Sequence, residues 1–183
     1  MVPFHAIRFY DSTESMASIV AAFLGTGWVI EEPALVIASP VRHSAIARAI
    51  RSMNFSMDSL CCSGKLCVLD ANDTLRQVML HGVPDPVRFE SIARSALDGL
   101  AGAGAHTVRV YDEMADVLWK RGEPQAALRL DGLWDDLAAR RTCSIVCSHG
   151  VADAKRDAGP RSLCSQHSHV LAPNGLPHPV SRR

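Results

Sequence analysis

The sequence lacks long hydrophobic runs and has no excess of charge of either sign. Its 183 residues include 19 basic and 19 acidic side chains, so the formal net charge is zero. DNA binding depends largely on a positive surface that neutralises phosphates, so a neutral chain gives little reason to expect direct contact with nucleic acid. The apolar stretches are interrupted by charge well before the roughly 20 residues that a membrane-spanning helix needs. Neither nucleic acid nor a membrane is a predicted partner.

Signals for export and for a disulfide framework are also missing. The first residues, Met1 to His5, lack the basic start and the apolar run of a secretory signal. The chain is long and apolar enough to fold without disulfides, so its six cysteines are interpreted as reduced thiols of a cytoplasmic protein. Cys61 and Cys62 lie at a predicted turn, where an exposed redox role is the alternative to an inert surface position.

The sequence does contain a regular alternation of strand patterns and helix patterns. Short apolar segments that predict β-strands cover residues 5–10, 34–39, 66–70, 107–111 and 144–147. Between them, apolar residues recur at helical spacing, and Gly25 and Gly27 are predicted to end the first helix. Parallel neighbours need crossover connections, so this alternation predicts an α/β fold. We expect three layers, with a mostly parallel sheet and helices on both faces.

The domain is expected to end near residue 150. From residue 151 onward the sequence is rich in Pro, Ser, Gly, Arg and His and has no apolar periodicity. Such a composition cannot bury enough apolar surface to offset the entropy of ordering. The sequence therefore predicts one domain over residues 1–150 and a disordered tail over residues 151–183.

The loops that follow the strands are where a ligand site is expected, because open α/β sheets bind ligands beyond the carboxyl ends of their strands. The first of these loops, Asp11 to Ser15, contains neither the glycines nor the lysine of a phosphate-binding loop. Its two carboxylates would repel a phosphate. Cys143 and His149 form no recognisable nucleophile and base pair, and no G-x-S-x-G motif is present. We predict a non-catalytic protein, and the sequence identifies no cofactor.

Potential metal ligands occur close together near the C-terminus. Cys164, His167 and His169 have the right side-chain types. They stand alone in the predicted tail, where adventitious affinity explains them better than a designed site. No metal site is predicted.

The strand ends supply most of the candidate ligand-binding residues, which are His5, Tyr10, Asp11, Ser39 and Glu113. Glu113 follows a strand and could face a ligand, or it could be an acid favoured by the start of the next helix. Tyr10 and Asp11 are expected at the same edge of the sheet. His5 opens a strand, and a structural histidine is the alternative to a titrating one.

Several of these segments resemble, in order along the chain, the MEDS family. This sensory domain is named from the DcmR regulator of methylotrophs and from methanogen proteins. The segments that carry the resemblance are His5 to Tyr10, Ala38 to His43, Leu69 to Ala71, Gly82 to Asp85 with Phe89, Arg109 to Met114, Leu118-Trp119 with Gly122, Leu133-Trp134 and Ser144 to Cys147.

The resemblance implies a RecA-like or KaiC-like core without a phosphate loop, used as an input domain. One position departs from the family pattern, because Asp112 stands where a glycine is expected before Glu113. A missing glycine limits backbone freedom at this turn. The function predicted from the resemblance is a sensory or ligand-binding domain in signal transduction or transcriptional control. It is expected to bind an unknown small molecule and to act through a regulatory protein partner.

Two alternatives remain at this stage. In the first, Asp11, Asp70 and Glu113 hold a divalent metal and a nucleotide, since carboxylates suit Mg²⁺. In the second, the protein is an interaction scaffold in which Trp119 and Trp134 face a partner.

Overall fold

The computed structural model describes residues 4–101, 107–151, 163–164, 167–172 and 176–180. The strands in these ranges are β1 (His5–Tyr10), β2 (Ala34–Ala38), β3 (Leu66–Asp70), β4 (Met79–Leu80), β5 (Val83–Pro84), β6 (Val108–Asp112), β7 (Cys143–Gly150), β8 (His169–Leu171) and β9 (Pro177–Pro179). The helices are α1 (Thr13–Val29), α2 (Pro40–Ser52), α3 (Met57–Cys62), α4 (Ala71–Val78), α5 (Pro86–Ala101), α6 (Met114–Lys120) and α7 (Pro124–Arg140).

The central sheet has seven strands in the order β3-β2-β6-β7-β1-β8-β9. Neighbouring strands run parallel as far as β8, and β9 pairs antiparallel to β8. β4 and β5 form a separate short hairpin. The five strands predicted from the sequence are thus present.

Helices cover both faces of the sheet. In β2, Leu35 and Ile37 belong to one buried apolar cluster, whereas Val36 belongs to a second one. Successive side chains of a strand point to opposite faces, so a strand buried on both faces consists of apolar residues throughout. The first cluster includes residues of α4 to α7 and the second includes residues of α1 to α3. The three-layer α/β architecture predicted from the sequence is confirmed.

Glycine does not end the first helix, which corrects the prediction for Gly25 and Gly27. α1 begins after the N-cap Ser12 and continues through both glycines to Val29. A Cβ atom on Gly27 would lie 2.5 Å from Cδ of Arg109, and one on Gly25 would lie 2.6 Å from Cε of Met53. These glycines therefore let neighbouring side chains approach the helix closely.

Parts of the segment after residue 150 are ordered, which differs from the disordered tail predicted for 151–183. β8 adds to the sheet beside β1, and β9 pairs with β8. Leu163 and Leu171 are fully buried. Isolated apolar residues gave no periodic signal in the sequence. Leu171 lies in β8, which pairs with β1, whereas Leu163 is buried in the cluster with α4 to α7. Residues 152–162 lie outside the described residues.

None of the helices within the described ranges combines the length and the apolar character needed to cross a membrane.

Candidate functional site

A network of charged side chains lies beyond the carboxyl ends of β1, β2, β6 and β7, which are neighbours in the sheet. Ser39 caps the N-terminus of α2, and Pro40 occupies its first turn. Arg42 therefore emerges two residues into that helix. Glu113 caps α6, and Asp116 lies in the first turn of α6. The strand ends thus place the starts of two helices side by side.

Arg42 is the centre of this network. Its Nε lies 2.9 Å from Oε1 of Glu113, and its Nη2 lies 2.7 Å from Oδ2 of Asp116. The guanidinium carbon lies 4.2 Å from the ring centroid of Tyr10, an arrangement that favours a cation–π contact. Arg42 and Glu113 are each 4% exposed, and Asp116 is fully buried. Arg42 thus connects α2 to both acids of α6.

Tyr10 and Lys120 also belong to the network and both bind Asp116. The hydroxyl of Tyr10 donates to Oδ2 of Asp116 at 2.7 Å and accepts from Nη2 of Arg42. Nζ of Lys120 donates to Oδ2 of Asp116 and to the hydroxyl of Tyr10, at 2.8 Å in both cases. The side chain of Lys120 is 42% exposed, so it is the member of this group that water reaches most easily.

Glu113 accepts further hydrogen bonds from the start of α2. The backbone N–H of Ser39 donates to Oε2 at 2.6 Å, and its hydroxyl donates to Oε1 at 3.1 Å. Glu113 thus places a carboxylate at the N-terminal end of α2, where the helix dipole favours negative charge. Anionic ligands bind at such positions in many proteins. In this protein, the Glu113 side chain occupies that position at the N-terminus of α2.

Burial and neighbouring charges together shift the pKa values of the ionisable groups of this site. Burial raises the pKa of Glu113, and the nearby Arg42 and Ser39 offset part of that increase. Burial also raises the pKa of Tyr10, and the charge of Asp116 adds to the increase. Burial opposes charge on Arg42, but Tyr111, Glu113, Tyr10 and Asp116 together raise its pKa. Arg42 is therefore a permanent cation between two acids.

The structure brings together three of the five candidate ligand-binding residues. Tyr10, Ser39 and Glu113 all contact this network, as described above. Asp11 is exposed. His5 begins β1, and five residues of strand place it about 16 Å from Tyr10. His5 instead lies beside Cys147, with 3.3 Å between Nε2 and Sγ.

Arg42, Asp116 and Lys120 belong to the site but are not among the residues predicted from the sequence. A signal for two of them was present. Glu113, Asp116 and Lys120 are spaced by three and four residues, which places them on one face of a helix. Arg42 gave no such signal, because its two acidic partners, Glu113 and Asp116, lie 71 and 74 residues away along the chain.

The metal and nucleotide alternative required Asp11, Asp70 and Glu113 to share an ion. Asp70 ends β3 and Asp11 follows β1, and these two strands are separated by three others in the sheet. Four strand spacings correspond to about 19 Å, which is too far for ligands of one ion. The carboxylate of Asp70 caps α4 by accepting the N–H of Asp73 at 2.9 Å.

The two tryptophans of the scaffold alternative are core residues. Trp119 is 3% exposed and Trp134 is fully buried, so neither presents a surface to a partner. Nε1 of Trp134 donates to Oδ2 of Asp112 at 3.0 Å. Asp112, the departure from the family pattern, is therefore a buried acceptor at the end of β6.

The described cysteines are free thiols. Cys61 and Cys62 are exposed on α3, which replaces the turn expected there. Burial, Cys62 and Asp58 all raise the pKa of Cys61, so its thiol is not activated toward oxidation. Cys143 and Cys147 are buried in β7.

An open groove of about 650 Å³ lies away from the network, between the edge strand β3 and α5. Cys67, Leu69, Ile92 and Ala96 contribute apolar surface to it. It contains none of the five candidate ligand-binding residues. At the carboxyl edge, in contrast, Arg42 fills the space among its partners, so a ligand there would have to compete for that side chain.

Comparisons with known proteins agree with this architecture. A family model described as MEDS, MEthanogen/methylotroph, DcmR Sensory domain, matches residues 4–163. No curated protein matches the sequence. The crystal structure of the KaiC-like protein PH0186 from the hyperthermophilic archaeon Pyrococcus horikoshii OT3 resembles this one with a TM-score of 0.60 at 11% identity. The similarity covers 91% of this chain and 70% of that chain, and at this identity it establishes the fold alone.

Proposed function

The chain belongs to the MEDS sensory domain family, and we propose that it is a non-catalytic input domain that binds a small molecule at the Arg42 network. It passes the bound state to a regulatory partner in signal transduction or transcriptional control. The observation that carries the proposal is the carboxylate of Glu113 at the N-terminus of α2, paired with the buried Arg42. In this position the protein holds an internal anion where a ligand would otherwise bind.

A ligand with a hydrogen-bond acceptor would act by competition. It would take Arg42 or the Ser39 N–H from Glu113, which would weaken the connection between α2 and α6. A ligand shifts such an equilibrium only through its different affinity for the two arrangements. The two arrangements differ in the buried contact between α2 and α6, so a ligand that breaks this contact binds one arrangement more tightly than the other.

The composition of the loop after β1 supports a binding role over nucleotide turnover. Asp11 and Glu14 flank the start of α1, and the side chain of Ser12 caps this helix by accepting the N–H of Ser15 at 3.1 Å. A triphosphate would meet two carboxylates there and no lysine. The free cysteines fit a reducing, cytoplasmic location, which is part of the proposal.

The test is a thermal-shift screen of small metabolites and of nucleotides, including ATP with Mg²⁺. A compound at a hundred times its dissociation constant should add about 2.7 kcal/mol to the unfolding free energy. We expect the stabilising compound to lose its effect on an Arg42→Lys variant. It should bind more tightly to a Glu113→Gln variant, which lacks the competing carboxylate. Glu90→Gln is the matched control, because Glu90 is a surface carboxylate that also pairs with arginine.

Two results would contradict the proposal. One is ATP turnover that depends on Asp11 or Glu14, since that would make the acidic loop a catalytic site. The other is a ligand whose stabilising effect is unchanged in both network variants, since that would place the binding site elsewhere, such as the groove beside β3.

A further inference from the structure

A second cluster of chemically reactive side chains lies between the sheet and α7. His149 lies between this cluster and the Arg42 network, with Nε2 3.9 Å from Oδ2 of Asp131 and Nδ1 4.0 Å from Oδ1 of Asp116. The cluster consists of His5 on β1, Asp131 on α7, Cys147 on β7 and His167 just before β8. β1 and β7 are adjacent, and Ile7 is the register partner of Cys147. His5 lies two residues before Ile7, so it points to the same face of the sheet as Cys147. None of the cluster's four residues takes part in the Arg42 network.

The four potential ligand atoms are close together and inaccessible to water. One atom from each side chain lies within 4.8 Å of the other three. Nε2 of His5 lies 3.3 Å from Sγ of Cys147, and Nε2 of His167 lies 3.9 Å from Oδ1 of Asp131. The four residues are at most 1% exposed. The cluster is therefore a closed polar centre within the apolar layer between the sheet and α7.

Two of these residues carry polar atoms that protein contacts do not satisfy. Within the described ranges, neither carboxylate oxygen of Asp131 receives an N–H or O–H hydrogen bond, and Nε2 of His167 has no hydrogen-bond partner. The thiol of Cys147 faces Asp131 but is a weak donor. An ionised carboxylate here would lack donors, which is costly, whereas a cation between these atoms would compensate its charge.

Neighbouring groups also orient the imidazole rings of His167 and His5 for binding an ion. Nδ1 of His167 lies 2.7 Å from the carbonyl oxygen of Leu163. A carbonyl can only accept, so Nδ1 carries the proton and Nε2 presents its lone pair to the cluster. Nδ1 of His5 lies 3.6 Å from Oδ1 of Asp135. Histidine ligands commonly contact a carbonyl or a carboxylate through the other ring nitrogen in this way.

We propose that His5, Asp131, Cys147 and His167 bind a single Zn²⁺ ion. A thiolate and a carboxylate neutralise the two charges of the ion, so the buried site has no net charge. Sulfur and imidazole ligands suit Zn²⁺, whereas Ca²⁺ and Mg²⁺ prefer oxygen ligands. Tetrahedral zinc with bonds of about 2.0–2.3 Å places its ligand atoms about 3.3–3.7 Å apart. On binding, the thiol and the carboxyl group each release their proton to solvent.

The role of this ion is structural. Four protein ligands leave no open coordination position, and water does not reach the cluster. The ligands come from the first residue of β1, from α7 and β7, and from the segment that leads into β8. The ion therefore connects the C-terminal segment to the sheet and holds β8 against β1.

The test begins with protein stripped by a chelator under reducing conditions and then titrated with Zn²⁺ alone. We expect one tightly bound equivalent and a rise in the melting temperature. Titration with Co²⁺ should give the absorption bands of a tetrahedral site and a thiolate-to-metal charge-transfer band. This measurement on the unmodified chain does not depend on the folding of any variant.

Variants then assign the site. Cys147→Ser and His167→Ala should each lower zinc affinity by about a hundredfold or more. Cys143→Ser and His178→Ala should bind normally, since Cys143 is another buried cysteine of β7 and His178 is exposed. The proposal fails if the unmodified chain takes up no stoichiometric zinc. It fails equally if binding is lost in a Cys61→Ser, Cys62→Ser variant but retained in Cys147→Ser.

Discussion

Nη2 of Arg42 lies 2.7 Å from Oδ2 of Asp116, and both residues are buried. Removing one member of a buried ion pair leaves the other charge uncompensated, which typically costs about 3–5 kcal/mol. We therefore expect Arg42→Met to lower the unfolding free energy by about that amount, since Glu113 also loses its partner. Chemical denaturation measures this change.

The control for that substitution is Arg94→Met. Arg94 pairs with Glu90 on the surface of α5, and its side chain is 55% exposed. This variant should leave stability almost unchanged, because water solvates an exposed partner. Equal effects of the two substitutions would mean that the Arg42 network contributes no more than a surface ion pair.

Gly27 should not tolerate a side chain. Alanine is the better helix former by about 1 kcal/mol, but its Cβ would meet Arg109. Arg109 cannot move freely, because it is 4% exposed and its Nε pairs with Glu32 at 2.7 Å. We expect Gly27→Ala to destabilise the protein by about 1–3 kcal/mol, measured by denaturant unfolding.

Gly99 provides the matched helical control. A Cβ on Gly99 would have no neighbour within 4 Å. Gly99→Ala should therefore increase stability by up to about 1 kcal/mol through helix propensity alone. A stabilising Gly27→Ala would show that the close approach of Arg109 to α1 does not constrain that position.

Asp112 should make stability depend on pH. Burial raises the pKa of Asp112 from 3.8 to about 7, against the lowering effect of hydrogen bonds from Met114 and Trp134. Between these two values the unfolded chain ionises while the folded state keeps the proton. The stabilising contribution is thus complete below pH 3.8 and is lost as pH rises through about 7. One pKa unit corresponds to about 1.4 kcal/mol, so the loss over this shift is at most about 4–5 kcal/mol.

The measurement compares unfolding free energies at acidic and neutral pH. With Asp112→Asn, less of the unfolding free energy should be lost between acidic and neutral pH, since asparagine cannot ionise. Asp136→Asn changes an exposed residue of the neighbouring helix α7, so this variant should lose as much stability between acidic and neutral pH as the unmodified chain. Identical pH profiles for all three proteins would show that Asp112 does not titrate in this interval.

Leu171 should contribute to the core although it lies in the segment that sequence analysis predicted to be disordered. Its side chain is fully buried in β8. Leu171→Ala should lower stability by about 2–5 kcal/mol in a denaturation experiment. Leu176→Ala, at a position that is 54% exposed, should change it by no more than about 0.5 kcal/mol. A neutral Leu171→Ala would show that β8 adds nothing to the stability of the sheet.

The layers of this protein follow from local patterns in its sequence. β2 consists of apolar residues over its whole length, and amphipathic helix patterns separate it from the next strands. Both are local signals that follow from side-chain periodicity, so they predicted a parallel sheet covered on two faces. The same local chemistry excluded a phosphate loop at Asp11 to Ser15. The positions of Tyr10, Ser39 and Glu113 at strand ends then predicted half of the carboxyl-edge network.

The tertiary structure alone decided which distant residues meet. Arg42 and Asp116 are 74 residues apart, and His5 and Cys147 are 142 residues apart. Sequence spacing carries no information about such contacts, because strand order and register bring these residues together. His167 shows this most clearly. The lack of periodicity around His167 predicts a tail, yet pairing of β8 with β1 places its ring 4.2 Å from that of His5.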